Sequence, residues 1–563
     1  MKHATLCCCL AALFSLTPPA PVSAVTCPDS VSLPPRLGCP PRTALIGLGD
    51  SLGHGTMDAA NNFINTEHAF LQRVADALAM AVPLYFSQPL FDLAEKRLEP
   101  FTIPTNLAVD GADIFSLAGL DYHKRSGAVE TLPSAALMAD RLLPLGFRDT
   151  YDKVLYPLNL LARQPVSQVD GALWLLNRGA AVTAIDRTLV LLWAGNNDSS
   201  KAALGGGGSN PQFQPLPFDL VRTELKPGLR LLLAFAEAKG LLSFAPYTGA
   251  AIDRNLTNAD DFAQQYGEVV ERLLADSSAS PAPPELLLVT LPYYSAVGYL
   301  MDSEDLEFYL GKVDPGYTVP ASFKRVAEPG EPISEPLRGD RVSLLTFGMM
   351  YALLATGHPA AEVNRVLEID GVQRDGLVLS EAEQRTIMAR IDGFNDSIRA
   401  VAAAYPAHVQ LIDVGGFLND AFLGKRVIEI DDRVFSRKWV RGSGFTLDGV
   451  HPGYTGQALI ANRILEAMNE LPGINAPLSD LAEVMAGDPY IDRDGDGWAP
   501  GPPQAGSGIT GLLYLFKDPD DGDPERQVDL PADVWERISD GLLAEILHIP
   551  AVEAEARRRG IVR

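Results

Sequence analysis

The sequence predicts an α/β fold with a doubly wound parallel sheet, and three observations lead to this class. Five short apolar runs of strand length are largely continuous rather than alternating, as strands buried on both faces are. Stretches with helical spacing lie between the runs, and strands that alternate with helices indicate a parallel sheet. Each run ends abruptly, mostly in glycine or polar residues, at the edge where such sheets bind ligands.

The predicted elements follow one another through the chain. The strands are Thr43–Leu48, Asn106–Val109, Leu189–Trp193, Leu286–Leu291 and Val409–Val414. The helices are Ala69–Met80, Ala259–Ala275, Ser380–Tyr405 and Tyr454–Asn469. Helices are favoured there because the apolar residues recur at helical spacing.

The composition is that of a globular protein with an acidic surface. The chain has 563 residues, of which 47% are hydrophobic and 21% are charged, and its formal net charge is −25. Nucleic-acid binding draws its affinity from Lys and Arg side chains that neutralise phosphates, so we expect no nucleic-acid partner. The length exceeds the roughly 100–200 residues of one domain, which indicates insertions or additional domains.

Residues 1–24 are predicted to be a cleaved secretory signal peptide, because a short polar start precedes the apolar run Leu6–Leu16 and a small-residue cleavage site. The run is shorter than the roughly 20 residues that span a bilayer, so no transmembrane segment is predicted. We expect a secreted, periplasmic or cell-surface protein. A disulfide between Cys27 and Cys39 is expected in the proline-rich segment 25–42, whereas the alternative of a lipid anchor at Cys27 is disfavoured by a poor lipidation motif.

Ser51 is the candidate nucleophile. It lies in a Gly-Asp-Ser-Leu-Gly turn between the first predicted strand and the next helix. A serine there shares the carboxyl edge of the sheet with backbone N–H groups, so a nucleophile and an oxyanion pocket can lie in one loop. The turn also matches the G-x-S-x-G elbow of α/β-hydrolases, but that elbow follows several strands, whereas Ser51 follows the first.

Asp448 and His451 are the candidate partners of Ser51, in an Asp-x-x-His pattern just before the helix Tyr454–Asn469. A carboxylate at this spacing can orient the imidazole through its second nitrogen. The three residues would then be the orienting group, the general acid–base and the nucleophile. Gly111 allows a close approach of the backbone to a substrate, and Asn197 offers an amide donor.

Four sequence blocks, in this order, resemble those of the GDSL or SGNH hydrolase family. They are Gly49-Asp50-Ser51-Leu52, Asn106-Leu107-Ala108-Val109-Asp110-Gly111, Gly195-Asn196-Asn197-Asp198 and Asp448-Gly449-Val450-His451-Pro452. The flanking residues are similar to the secreted bacterial lipase and esterase branch. The resemblance implies a three-layer αβα, flavodoxin-like fold. It also implies an oxyanion hole formed by the Ser51 N–H, the Gly111 N–H and the Asn197 side chain.

Two departures from that family concern the substrate. Ser51 and His451 are much farther apart than in a minimal enzyme of this fold, and Tyr293-Tyr294 stands where relatives tend to carry Pro-Asp. We therefore expect a hydrolase domain at 43–470 with large, mostly helical or loop insertions near 116–187, 200–255 and 303–380. In the last insertion, the uncharged stretch Val342–Thr356 is predicted to be a buried helix or strand rather than a membrane segment.

A small acidic C-terminal extension is predicted at 471–563. In it, Asp492, Asp494 and Asp496 alternate and are followed by Gly497, as in the first half of an EF-hand-type calcium loop. The twelfth position is Pro503 instead of the bidentate Glu, which excludes a full EF-hand. We expect a structural calcium ion here, and the alternative is an acidic, solvated turn without metal. No cofactor is expected for catalysis.

The predicted function is the hydrolysis of a carboxylic ester in a small-molecule, lipid or polysaccharide substrate. Two alternatives stay open: a carbohydrate O-deacetylase of the same fold, and a catalytically silent surface-binding protein. Acetate release from an acetylated polysaccharide would indicate the first. Failure of an active-site serine probe to label Ser51 would indicate the second.

Overall fold

The structure, a computed structural model, describes most residues between 43 and 502. The described residues are 43–58, 60–93, 96–119, 122–125, 128–132, 154–162, 166–179, 185–205, 252–253, 255–280, 282–324, 339–355, 357–369, 372–373 and 378–502. The predicted signal peptide, the segment 25–42 with Cys27 and Cys39, and the extension from 503 onwards lie outside them.

The strands are short, apart from those at the centre of the fold. They are Thr43–Gly49 (β1), Leu84–Tyr85 (β2), Tyr122–Arg125 (β3), Ala128–Leu132 (β4), Arg187–Trp193 (β5), Pro284–Val289 (β6), Leu300–Met301 (β7), Arg341–Ser343 (β8), Glu368–Ile369 (β9), Val372–Gln373 (β10), Val378–Leu379 (β11), Val409–Ile412 (β12), Ile428–Ile430 (β13) and Arg433–Phe435 (β14).

The helices lie between and after these strands. They are Ser51–His54 (α1), Phe63–His68 (α2), Phe70–Ala81 (α3), Ile114–Leu117 (α4), Leu158–Ala162 (α5), Gln168–Trp174 (α6), Asn197–Gly205 (α7), Ala259–Ala275 (α8), Ser303–Val313 (α9), Leu344–Ala355 (α10), Ala360–Val363 (α11), Glu381–Ala404 (α12), Val414–Phe422 (α13), Tyr454–Met468 (α14) and Leu481–Ala486 (α15).

A five-stranded parallel sheet is the centre of the fold, which confirms the predicted α/β class. Its strand order is β12–β6–β5–β1–β2. The chain runs from β1 to β2 on one side, and β5, β6 and β12 then follow on the other side of β1. The strand order therefore reverses at β1, so the carboxyl ends of β1 and β5 border the crevice where such sheets bind ligands.

The long helices pack in pairs, α3 against α14 and α8 against α12. The four predicted helices agree with α3, α8, α12 and α14 to within one residue at each end. Local chemistry explains two of the starts. Asn258 caps α8 by accepting backbone N–H groups of its first turn, and Ser380 forms a capping box with Glu383 at the start of α12.

One predicted strand is wrong, because Asn106–Val109 is not a strand of the sheet and the edge position belongs to β2. The segment does run beside β1, and the N–H groups of Leu107 and Val109 donate to the Gly47 and Gly49 carbonyls. The Asn106 side chain accepts a hydrogen bond from the Ala108 N–H at 3.1 Å. This local turn interrupts a regular ladder, so only a single bridge to Gly47 remains.

Residues of the third predicted insertion build a second hydrophobic core. β8 is the middle strand of a small antiparallel sheet, β11–β8–β7, and the uncharged stretch after it forms the buried helix α10. Trp439 and Trp498 pack in the same core, so it also includes residues near the Asp448–His451 loop and residues of the predicted extension. Within the described part of the chain, no helix has both the length and the apolar character required to cross a membrane.

Candidate active site

The loops after β1 and β5 meet at the reversal of strand order. Asp50 is the N-cap of α1, and its carboxylate accepts a hydrogen bond from the Leu52 N–H at 3.1 Å. The other carboxylate oxygen accepts from Nδ2 of Asn196 at 2.9 Å. Burial raises the pKa of Asp50 to about 6, although the Asn196 hydrogen bond opposes this effect. These bonds fix the turn that carries Ser51 against the loop that carries Asn197.

Gln168 holds the same turn from the other side. Its side-chain amide accepts from the Gly49 N–H at 2.9 Å and donates to the Gly49 carbonyl at 2.8 Å. The side chain is fully buried, so both groups of Gly49 and both groups of the amide are satisfied inside the protein. No sequence pattern identifies Gln168, because it lies in the short helix α6, far from Gly49 in the chain.

Asn197 and Gly111 lie side by side. The Asn197 Nδ2 donates to the Ala112 carbonyl at 3.0 Å, and its Oδ1 accepts from the Ser200 hydroxyl at 3.1 Å. An amide nitrogen carries two hydrogens, so the second remains for a substrate oxygen. Gly111 has a φ of 75°, a conformation that favours glycine. The structure therefore brings the third sequence block against Ala112, the residue that follows the second block.

Asp448 and His451 form the predicted pair. Oδ2 of Asp448 lies 2.6 Å from Nδ1 of His451, and Oδ1 accepts the backbone N–H groups of Val450 and His451 at 2.7 and 2.8 Å. Gly449 between them has a φ of 69°, and its carbonyl accepts from the Tyr299 N–H at 2.7 Å. The spacing of three residues thus places carboxylate and imidazole in direct contact.

The charges around His451 favour its protonated form. Burial alone would lower its pKa, but the Asp448 carboxylate outweighs burial, with help from Asp110 and Asp50, and the pKa of His451 is raised to about 9. Burial would likewise raise the pKa of Asp448, but His451 and the two backbone donors hold it below its usual value.

The electrostatic contacts also bring the blocks together. His451 interacts with Asp50, the residue before Ser51, and with Asp110, the residue before Gly111. Among the described residues, no hydrogen bond joins the Ser51 hydroxyl to His451. The loops that carry the five predicted residues thus lie together in one cluster.

The predicted calcium ligands lie together in a turn beyond α15. Asp492, Asp494 and Asp496 each offer a carboxylate oxygen, and these oxygens lie within 4.8 Å of one another. Asp492 is buried and accepts the Gly495 and Gly497 N–H groups, both at 2.7 Å. A set of oxygen donors alone suits a hard cation such as Ca²⁺. The residues fit the ion, whose binding stays a prediction.

Comparison with protein-family models, with curated proteins and with solved structures finds no match for this chain.

Removal of calcium tests the acidic loop. A ligand that binds only the folded state raises its stability, so the chelator EGTA is expected to lower the melting temperature by about 5 °C relative to a calcium-containing buffer. The double variant Asp494→Asn/Asp496→Asn should melt at one temperature in both buffers. Asp431→Asn, a change in another acidic turn, should respond to EGTA as the wild type does. A wild-type melting temperature that ignores EGTA would contradict a calcium site.

Proposed function

We propose that the chain is a serine ester hydrolase of the GDSL or SGNH type, which acts through Ser51, His451 and Asp448. The main support is the 2.6 Å contact between Asp448 and His451, located in the loop cluster that also contains Ser51. The cluster lies where the strand order reverses, which is where open parallel sheets bind their ligands. A structural histidine needs neither a buried carboxylate partner nor this position.

In this proposal His451 removes the proton of the Ser51 hydroxyl at Nε2 while Oγ attacks the ester carbonyl carbon. The C–O bond to the alcohol then breaks, and the alcohol leaves with that proton. In the second half of the reaction, water attacks the acyl carbon while His451 takes its proton, the bond from that carbon to Ser51 Oγ breaks, the carboxylic acid leaves, and His451 returns the proton to Oγ. Asp448 fixes the imidazole through Nδ1 and stabilises the imidazolium. The Ser51 hydroxyl and His451 are not hydrogen-bonded in the structure, which is compatible with this mechanism because catalytic hydrogen bonds often form only when the substrate is bound.

The oxyanion of the tetrahedral intermediate would be bound by the backbone N–H groups of Ser51 and Gly111 and by Nδ2 of Asn197. The Asn197 amide is already oriented, because Ala112 accepts one of its hydrogens and Ser200 donates to its oxygen. Donors that need no reorganisation contribute most to catalysis of this kind. The substrate would be an ester of a small molecule, a lipid or a polysaccharide.

Replacement of the nucleophile is the first test. Ser51→Ala should abolish hydrolysis of a panel of nitrophenyl esters from acetyl to palmitoyl, without a loss of folding, because the alanine removes the attacking oxygen alone. Ser397→Ala is the matched control, since the Ser397 hydroxyl donates a hydrogen bond to the Gly393 carbonyl of its own helix, α12. Unchanged turnover in Ser51→Ala, or failure of a fluorophosphonate probe to label Ser51, would refute the assignment.

Loss of the amide donor tests the oxyanion hole. Asn197→Ala should lower kcat by about 10²–10³-fold with little change in KM, because the donor acts on charge that develops in the transition state. Ser200→Ala removes only the hydroxyl that orients the Asn197 oxygen, and its effect should be smaller. A near-wild-type rate in Asn197→Ala would remove this residue from the site.

The charge state of His451 predicts an alkaline pH profile. His451 accepts a proton only when it is neutral, so kcat/KM should rise with pH, with the midpoint of the rise near the His451 pKa of about 9 and the plateau above it. Asp448→Asn should move this limb to lower pH and lower the rate. The raised pKa also means that the ion pair stabilises the folded state fully below the unfolded histidine pKa of about 6.5, and that this contribution is lost as the pH rises through about 9. A rise of kcat/KM centred near pH 6 in the wild type would contradict the raised pKa of His451, and a profile that His451→Gln leaves unchanged would contradict its assignment as the base.

A further inference from the structure

Asp58 lies directly behind the loop that carries Asp448. It belongs to the loop between α1 and α2, and its side chain is buried with 1% exposure. Its own N–H donates to the Thr446 hydroxyl at 3.3 Å, and its carboxylate lies near enough to the backbone N–H groups of Leu447 and Asp448 for both to lower the pKa of Asp58. One buried side chain and its backbone therefore contact three consecutive residues at the start of the Asp448–His451 loop.

Tyr490 holds Asp58 from the opposite side. Its hydroxyl donates to Oδ2 of Asp58 at 3.0 Å, and the side chain is buried with 1% exposure. Asp488, two residues earlier, accepts the Thr455 N–H and the Thr455 hydroxyl, both at 2.8 Å, at the start of α14. The segment 488–490 thus binds the residues on both sides of the loop that contains Asp448 and His451.

A role in packing alone does not explain Asp58. Its φ of 52° lies in the left-handed region, which costs on the order of 1 kcal/mol for a residue with a Cβ. A buried carboxylate is also costly to desolvate, and burial, together with the nearby Asp448 charge, raises the pKa of Asp58 to about 7. An apolar residue would avoid the desolvation cost but would still pay the cost of the left-handed φ, so the polar contacts of the carboxylate with Tyr490 and with the start of the Asp448–His451 loop are the feature that requires Asp58.

We propose that Asp58 is a positioning residue for the catalytic pair, which fixes the backbone of Asp448 and thereby the contact of its carboxylate with His451, and that Tyr490 orients Asp58. This inference rests on the proposed function but goes beyond it, because it assigns a catalytic consequence to residues outside the four sequence blocks. Without the Asp58 carboxylate, the N–H groups of Leu447 and Asp448 would lose a nearby negative charge, and Asp448 would hold the imidazole less firmly.

The effect should appear in the chemical step. The substrate binds on the other side of the imidazole, so KM should change little, whereas kcat depends on the orientation of His451. A weaker contact with Asp448 also lowers the pKa of His451. The charged groups that face His451 are Asp448, Asp110 and Asp50, and those that face Asp58 are Asp448 and the hydroxyls of Tyr490 and Tyr454.

The test compares Asp58→Asn and Tyr490→Phe with wild type in the full-length protein. Asp58→Asn should lower kcat for nitrophenyl acetate about tenfold with KM within about twofold, because a misplaced base slows proton transfer. The pKa of His451, followed by NMR and assigned by the loss of its signal in His451→Gln, should fall by about one unit. Tyr490→Phe should also lower kcat and the pKa of His451, by smaller amounts than Asp58→Asn does.

Ser280→Ala is the matched control. The Ser280 hydroxyl is buried and donates to the Leu176 carbonyl at 2.6 Å, before the start of β6 and thus at the end of the sheet opposite the site. This variant should lower the melting temperature and leave kcat and the pKa of His451 unchanged.

Two results would overturn the proposal. The first is a lower melting temperature in Asp58→Asn with an unchanged kcat and an unchanged His451 pKa, which would make Asp58 a purely structural contact. If Asp58→Asn does not fold, Tyr490→Phe is the variant that decides. The second result that would overturn the proposal is a wild-type kcat together with a wild-type His451 pKa in Tyr490→Phe. A wild type that hydrolyses no ester would refute the proposed function, whereas the NMR titration would still decide the positioning role.

Discussion

The parallel pairing of β1 with β5 is the constraint on which the site depends. All seven residues of β1 pair in register with β5, from Thr43 opposite Arg187 to Gly49 opposite Trp193. The two strands therefore end at the same level, and the loops that follow them emerge side by side. A Cβ at Gly49 would lie 2.4 Å from the Trp193 carbonyl oxygen, so only glycine permits this approach. The hydrogen bond between Asp50 and Asn196 is the direct consequence of this register.

A second constraint is the concentration of carboxylates around a single imidazole. Asp448 contacts His451 directly, and Asp50 and Asp110 add to the field that favours its protonated form. Buried charges are tolerated only when they are paired, and each carboxylate here has its own donors: backbone N–H groups for Asp448, Asn196 for Asp50, and Asn61 for Asp110. This field favours the imidazolium form of His451 and thereby raises its pKa.

Local patterns in the sequence were sufficient for part of this structure. The apolar runs at β1, β5, β6 and β12 and the amphipathic helices could be predicted, because burial on both faces or on one face leaves a direct periodic signal. The segment Asn106–Val109 was assigned wrongly, since its composition is that of a strand while the Asn106 side chain diverts the backbone bonds. Asp448 and His451 could be predicted as a pair because they are three residues apart, and the structure brings them into contact.

The remaining contacts could not be predicted, because they join residues that are distant in the chain and belong to no recurring pattern. The Gln168 side chain in α6 is hydrogen-bonded to Gly49 at the end of β1. The Tyr490 hydroxyl donates to Asp58, although Tyr490 belongs to the segment that the sequence predicts to be an extension. Such contacts follow only from the completed fold, in which side-chain direction and loop length are fixed.

The segment 488–498 is joined to the Asp448–His451 loop by two separate series of hydrogen bonds and close contacts. One runs from Tyr490 through Asp58 to the N–H groups of Leu447 and Asp448. The other runs from the Gly497 carbonyl, which accepts the Tyr309 hydroxyl; this hydroxyl also contacts the Trp439 carbonyl at 3.1 Å. The Trp439 indole N–H in turn donates to the Leu447 carbonyl at 2.9 Å.

Both routes end at Leu447, the residue before Asp448, and both begin beside the turn that contains Asp492, Asp494 and Asp496. In these routes the Tyr309 and Tyr490 hydroxyls and the Trp439 indole contact backbone carbonyls and Asp58, and all three aromatic side chains pack in the second hydrophobic core. The acidic turn and the Asp448–His451 loop are therefore joined by buried contacts of the completed fold, although they lie in separate parts of the sequence. A change in the order of the acidic turn is for this reason expected to reach the backbone of Leu447.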